Sequence, residues 1–198
     1  MNDFKDGSTG VIILNGPPLC GKDTIADCMI LHDLMDNFCK NQFKDKLIEL
    51  TCAAYSVTKD QWDAMYTREL KEQPNDLLWG NSPRQALIHM SESVIKPAFG
   101  RDYFGKAAAD NIVYDKVNVF SDGGFPEEIE PIVNLVGINH VVVVRIHAEG
   151  CDYGNDSRSY FQDDGKTLTI DVTRHEDNPV ATMLEIVEKV GEIIVENM

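Results

Sequence analysis

Apolar and polar positions alternate in blocks along this chain, and the length and period of each block separate strands from helices. Short apolar runs bounded by turn residues read as buried strands. They lie at Thr9 to Asn15 around Val11-Ile12-Ile13-Leu14, Lys116 to Ser121, Asn139 to Ile146 with its four valines, and Thr167 to Val172. Between them apolar residues recur at helical spacing. Thr24 to about Met35 is one such stretch, Asn41 to Tyr55 (Phe43, Leu47, Leu50, Ala54) a second, and Ser56 to Pro74, opened by Thr58 and carrying Trp62, Met65, Tyr66 and Leu70, a third. Ser82-Pro83 sets an N-cap before a first-turn proline, which predicts a helix with Ala86, Leu87, Met90 and Val94 on one side. Asp102 to Ala109, Pro126 to Val136 and Pro179 to Val195 (Met183, Ile186, Val187, Val190, Ile194) complete the helices. Strands alternating with helices predict an α/β fold, a mostly parallel sheet covered on both faces. Residues 1 to 8 read as a loose lead-in. His147 to Lys166 is polar and glycine-containing, which predicts a mobile lid or disordered excursion between two strands.

Composition narrows the class. At 198 residues the chain is long enough for one good core and short for two, so a single domain is expected. A formal charge of -15 argues against a broad nucleic-acid or anionic-membrane surface, because phosphate backbones are bound by clustered Lys and Arg. A nucleotide-sized anion still fits wherever positive charge is concentrated locally. The five cysteines have no metal-ligand spacing and read as reduced thiols. No apolar leader or spanning segment is present in the sequence, and a cytoplasmic location is expected. The histidines show no H-E-x-x-H spacing and there is no G-x-S-x-G, so metalloprotease and hydrolase readings find no support.

The chemistry concentrates in Gly16 to Thr24, GPPLCGKDT, which joins the first strand to the first helix. That context makes the pattern G-x-x-x-x-G-K-S/T credible as a phosphate-binding loop. Gly16 and Gly21 allow backbone angles that turn consecutive amides onto a polyphosphate. Pro17 and Pro18 donate nothing, so the donors are expected from Leu19, Cys20, Gly21, Lys22, Asp23 and Thr24, at the positive end of the helix they open. Lys22 adds a mobile charge for the β- and γ-phosphates. Asp23 stands where a hydroxyl normally meets Mg²⁺. A carboxylate is a good hard ligand, so Asp23 is expected on the metal or its waters and Thr24 on a phosphate. The competing reading is a glycine turn whose Asp merely favours the helix start.

Beyond the loop, six arginines in so acidic a chain carry information. Arg84 falls in the first turn of a helix, where the dipole disfavours a cation, which suggests that it holds an anion there. Arg68 and Lys71 sit among acids at the end of another helical pattern, where a solvated face is an equal reading. Asp122, at the carboxyl end of a predicted strand, is a candidate for organising metal, water or substrate, against a turn-forming aspartate. Arg145 at the base of the expected lid and Arg158 within it could converge on a transferring phosphoryl group, against a floppy loop with a solvated Arg158.

The loop GPPLCGKDT, the segment SPRQALIHMSESVIKPAFGRDYFG, the turn SDGGFPEE and the segment DSRSYF together resemble the phage-type deoxynucleoside monophosphate kinases, within the P-loop nucleoside monophosphate kinase group. The resemblance runs from about residue 9 to 172. It implies a three-layer P-loop NTPase fold with a core at about 9–40, 112–146 and 167–198, a substrate-binding helical region at about 41–111 and a lid at about 147–166. It implies transfer of the γ-phosphate of ATP, with Mg²⁺, to a (deoxy)nucleoside monophosphate. Lys22 and the loop amides would hold ATP; Arg84, with Arg68 and either Lys44 or Arg101, would grip the monophosphate; Arg145 and Arg158 would cover the transfer. Related kinases often carry an arginine just after the strand acid, where this chain has Gly123-Gly124, so that Arg68 or Arg101 substitutes or the substrate differs. The expected partner is a small-molecule dNMP, with no nucleic acid and no membrane. There is room for a homodimer, in the host cytoplasm if the protein is phage-encoded. Other readings are a kinase for another small acceptor of the dephospho-coenzyme A kind, and a non-catalytic nucleotide-binding regulator kept open by Asp23. An ATPase coupled to motion fits a chain this short least well.

Overall fold

The computed structural model describes residues 9–33, 36–154, 158–162, 165 and 167–197. The lead-in at 1–8, the expected helix end at Met35 and the lid positions 155–157, 163, 164 and 166 lie outside the described residues. Five strands form one sheet: β1 (Gly10–Asn15), β2 (Phe38–Asn41), β3 (Val117–Gly123), β4 (Val141–His147) and β5 (Leu168–Thr173). Their order is β2-β3-β1-β4-β5 and every pair is parallel. Four were predicted within one or two residues. β2 was not, because its sequence FCKN has no apolar run. It is a half-buried edge strand held by its ladder to β3, Phe38 opposite Val117 and Asn41 opposite Phe120.

The faces of the sheet divide by parity. On β4, Val142, Val144 and Ile146 pack on Ile25, Ala26 and Met29 of α1 (Lys22–Leu31) and on Met183, Ile186, Val190 and Ile194 of α8 (Pro179–Asn197). Val141 and Val143 face the opposite layer, with Ile129 and Ile132 of α7 (Pro126–Val136) and Ala108 of α6 (Tyr103–Ala109). Full burial of both faces explains why β4 reads as a continuous run of valines.

Between β2 and β3 lies a helical region with its own small core: α2 (Lys44–Tyr55), α3 (Lys59–Met65), α4 (Pro83–Ile88), a π-helical stretch His89–Ile95, α5 (Lys96–Phe99) and α6. Trp62 is fully buried there, packed with Cys52, Tyr55, Met65, Leu78 and Leu87. Capping boxes Thr58/Gln61 and Ser82/Gln85 start α3 and α4 at the positions the sequence predicts. Leu70, expected on the apolar side of a helix running to Pro74, is 47% exposed beyond the end of α3 at Met65, Ala54 is exposed on α2, and a further expectation fails by a single residue. Val94 was placed on the apolar side of the helix from Pro83, yet it is 41% exposed and Ile95 is buried instead. The π-helical stretch has wider turns, which rotates the buried face past an ideal 3.6-residue period.

The sheet order also locates a ligand crevice by topology. The chain leaves β1 for β2 and β3 on one side and comes back to β4 on the other, so connections diverge at the carboxyl end of β1, where open α/β sheets bind ligands. The segment occupying that point is Gly16 to Gly21. The chain has a three-layer α/β fold, a five-stranded parallel sheet between two helical layers.

Candidate active site

The loop at the end of β1 closes on itself around Lys22. Its amine donates to the carbonyls of Gly16 and Pro17, each at 2.7 Å, and the side chain is largely buried. Gly21 (φ 92°) and Leu19 (φ 68°) both take left-handed backbone to make the turn. Gly16 is required for a different reason: a Cβ there would lie 2.8 Å from both Cys20 Sγ and the Ile146 carbonyl. Cys20 is fully buried and fills that space. The amides of Gly21, Lys22, Asp23 and Thr24 have no acceptor among the described residues, and α1 has no side-chain cap. Four donors at the positive end of a helix therefore face the crevice.

Two acids stand beside the loop. Asp23 is exposed and accepts a 2.6 Å hydrogen bond from Ser121 at the end of β3. Asp122 is engaged on both oxygens, by the amides of Phe43 (3.0 Å) and Lys44 (3.1 Å). It thus anchors the start of α2 to the sheet. Burial raises its pKa, with Lys44 and the two amides opposing.

The described part of the expected lid is fastened to the core. Asn15, 1% exposed and adjacent to the loop, donates to the carbonyls of Gly123 and Ser159 at 3.2 Å and accepts from the Phe161 amide at 2.9 Å. Tyr160 donates to the Ile146 carbonyl at 3.1 Å, and Phe161 is buried among Phe120, Val143 and Ile129. Arg145 forks onto Asp171 and donates to the Phe161 carbonyl at 3.2 Å. That guanidinium, with His147, holds the Asp171 carboxyl below the usual range. Arg158 lies across Gly124, whose Cβ, if it had one, would be 2.4 Å from Arg158 Cδ. The Gly123-Gly124 departure therefore has a steric meaning: the stem of Arg158 occupies the place a side chain at 124 would need.

Other expected residues distribute unevenly. Arg101, 80% exposed, meets Glu127 at the start of α7, 3.4 Å away. Arg84 meets Glu72 at 3.4 Å within the helical region, and Arg68 is exposed there. Lys44 is half-buried at the start of α2 beside Asp122. Two cations were given no role from sequence. Arg174, just past β5, donates to the Leu19 carbonyl at 3.3 Å and its stem covers Gly21. Lys96 has only 12% of its side chain exposed, pairs with Glu92 at 2.7 Å and lies 4.3 Å from the Phe125 ring centroid. Position at the carboxyl end of a strand was the available signal for Arg174; Lys96 had none, since its neighbours come from a turn some thirty residues on.

No family model matches the chain, and no curated protein matches it. Among solved structures, a gluconokinase from Sinorhizobium meliloti 1021 is similar over 95% of this chain and 97% of its own, at 12% identity and a TM-score of 0.49. A likeness that remote says nothing about the substrate of this chain. Among the described residues no helix is long and apolar enough to cross a membrane, and no three or more His, Cys, Asp or Glu side chains are grouped to hold a metal.

Proposed function

We propose that the protein transfers the γ-phosphate of ATP to a (deoxy)nucleoside monophosphate. The observation that carries this reading is the loop itself: four unengaged amides and a lysine amine at the switch point of a parallel sheet, made for a polyphosphate. In this reading a second anion would sit near the end of β3, where Arg158 lies against Gly124, Lys96 over Phe125, Lys44 beside Asp122 and Arg101 against Glu127. A chain of charge -15 that gathers cations at this one cleft has a local use for them.

In this reading Lys22 leaves the Gly16 and Pro17 carbonyls to follow the β- and γ-phosphates, while the amides of Gly21 to Thr24 hold them in place. Asp23 and Ser121 are the groups that would hold Mg²⁺ or its waters, with the remaining positions filled by phosphate oxygens and water, as is usual for this ion. The metal would supply charge neutralisation on the transferring group. Arg158 neutralises the same group from the opposite side, and Arg145 keeps the segment that carries it docked. Alignment and charge neutralisation suffice, because a phosphate acceptor is already an anion and needs no strong base.

The test is ADP release measured with ATP, Mg²⁺ and a panel of dAMP, dGMP, dCMP, dTMP and their ribo counterparts, with dephospho-coenzyme A as an additional acceptor. Acceptor-dependent release with one or more monophosphates is expected. Release with dephospho-coenzyme A alone would move the assignment to that acceptor, and ATP binding without any transfer would leave a nucleotide-binding regulator.

A further inference from the structure

Within the first turn of α7 Glu128 is buried, 6% exposed as a residue, and its carboxyl group makes no hydrogen bond or ion pair with any described residue. An ionisable group with so little contact with water and no protein partner is costly to keep unless something else uses it. Its surroundings indicate the use. The charged groups facing it are Lys96 from α5, Asp122 from β3, Glu127 from its own helix and Arg158 from the segment pinned by Asn15. Two of them, Lys96 and Arg158, are among the cations proposed above for the acceptor side of the site. Its backbone is held as well, for α6 approaches so closely that a Cβ on Gly105 would come within 2.3 Å of the Glu128 carbonyl. The side chain is thus presented from a fixed turn.

Resting on the kinase reading above, we propose that Glu128 is the specificity-determining residue of the acceptor site, its carboxyl group hydrogen-bonding the nucleoside part of the bound monophosphate. Phosphate is the poorer partner for it: the ionised form repels phosphate, and Arg158 and Lys96 beside it are the better phosphate donors. An uncharged group bearing a donor and an acceptor is the right one. Burial pushes the Glu128 pKa up to about 8, with Lys96 and Arg158 opposing and Asp122 adding, so at neutral pH the acid form can both donate and accept. A base edge offers such a pair, and so does a sugar hydroxyl.

The experiment compares Glu128→Met, which fills the space with neither donor nor acceptor, with Glu128→Gln, which keeps both. For the best monophosphate of the panel, Glu128→Met is expected to raise the acceptor KM at least tenfold with ATP KM within twofold, and Glu128→Gln to stay within threefold on both. Calorimetric binding of the monophosphate without ATP gives the same comparison with no turnover required. Deoxyribose 5-phosphate separates the sources: a loss in Glu128→Met that persists with this acceptor assigns the contact to the sugar, and one that vanishes assigns it to the base. Equal monophosphate affinity in wild type and Glu128→Met, with the variant folded by thermal melting, overturns the proposal. A wild-type enzyme that binds and phosphorylates no monophosphate overturns the kinase reading instead, whereas wild-type transfer with an unaltered Glu128→Met KM overturns this inference alone.

Discussion

The two halves of the cleft are built on different scales. The nucleotide-phosphate half is nine consecutive residues, Gly16 to Thr24, whose geometry is set by two glycines and a helix start. The half proposed for the acceptor draws Lys44, Lys96, Asp122, Glu128 and Arg158 from segments more than a hundred residues apart at the extremes. Local geometry makes the first half robust and easy to read. The second exists only while β3, α2, α7 and the 158–161 segment hold their places, and Asn15 joins two of these: it ties the end of β1 to Gly123 of β3 and to Ser159 and Phe161. The same contrast appears in charge. Lys22 satisfies itself on loop carbonyls while it waits, whereas the Glu128 carboxyl makes no hydrogen bond or ion pair among the described residues.

That contrast can be broken most sharply at Lys22. Removing the amine in Lys22→Ala deletes a charge directed at the transferring group, and phosphoryl transfer should fall by about 10³-fold or more in a coupled assay. Turnover near the wild-type rate would remove the basis of the functional assignment. Arg158→Ala probes the other half and should lower kcat by roughly 10–100-fold while ATP affinity changes far less, a separation that steady-state kinetics reads directly. An equal loss of ATP affinity would mean that the two halves are not distinct.

Asn15 tests the joint between them. Asn15→Leu keeps the volume but leaves two carbonyls and one amide unsatisfied, which costs on the order of 2 kcal/mol or more in urea unfolding. It should also release residues 158–161 to faster hydrogen exchange while α1 stays protected. A variant as stable as wild type, with an unchanged exchange pattern, would deny Asn15 that role.

The smallest effect concerns pH. Burial raises the folded-state pKa of Glu128 from 4.5 to about 8, so in the unfolded chain this group loses its proton first. The stability it contributes is fully present below its ordinary pKa and is lost as pH rises toward 8. Glu128→Gln should therefore melt at a higher temperature than wild type at pH 8 to 9, with the difference shrinking near pH 4. A constant difference across that range would place the effect elsewhere.

How legible was all this in the sequence? The four long strands and most helices were, because continuous valine and isoleucine runs and Ser/Thr caps act over a few residues. β2 was invisible because an edge strand of Phe-Cys-Lys-Asn is defined by its neighbour rather than by its own pattern. Val94 was misplaced because the period itself widens through the π-helical stretch. Arg145 was expected at the transferring phosphoryl group, and the structure puts its guanidinium on Asp171 and the Phe161 carbonyl, partners 16 and 26 residues downstream. Lys96 and Glu128 were given no role, although both lie in segments that carry the resemblance, because their surroundings come from residues brought together only by the fold.

By itself, then, the sequence determined the alternation of strand and helix, the layers that follow from it, and the phosphate loop, because glycine conformational freedom, helix dipoles and hydrophobic period are short-range properties. Which cations come to the end of β3, that Arg158 lies across Gly124, and that Glu128 is buried were decided by the tertiary structure alone. Burial and Coulomb interaction depend on distance in space, and a parallel sheet in the order β2-β3-β1-β4-β5 brings together residues that the chain keeps far apart.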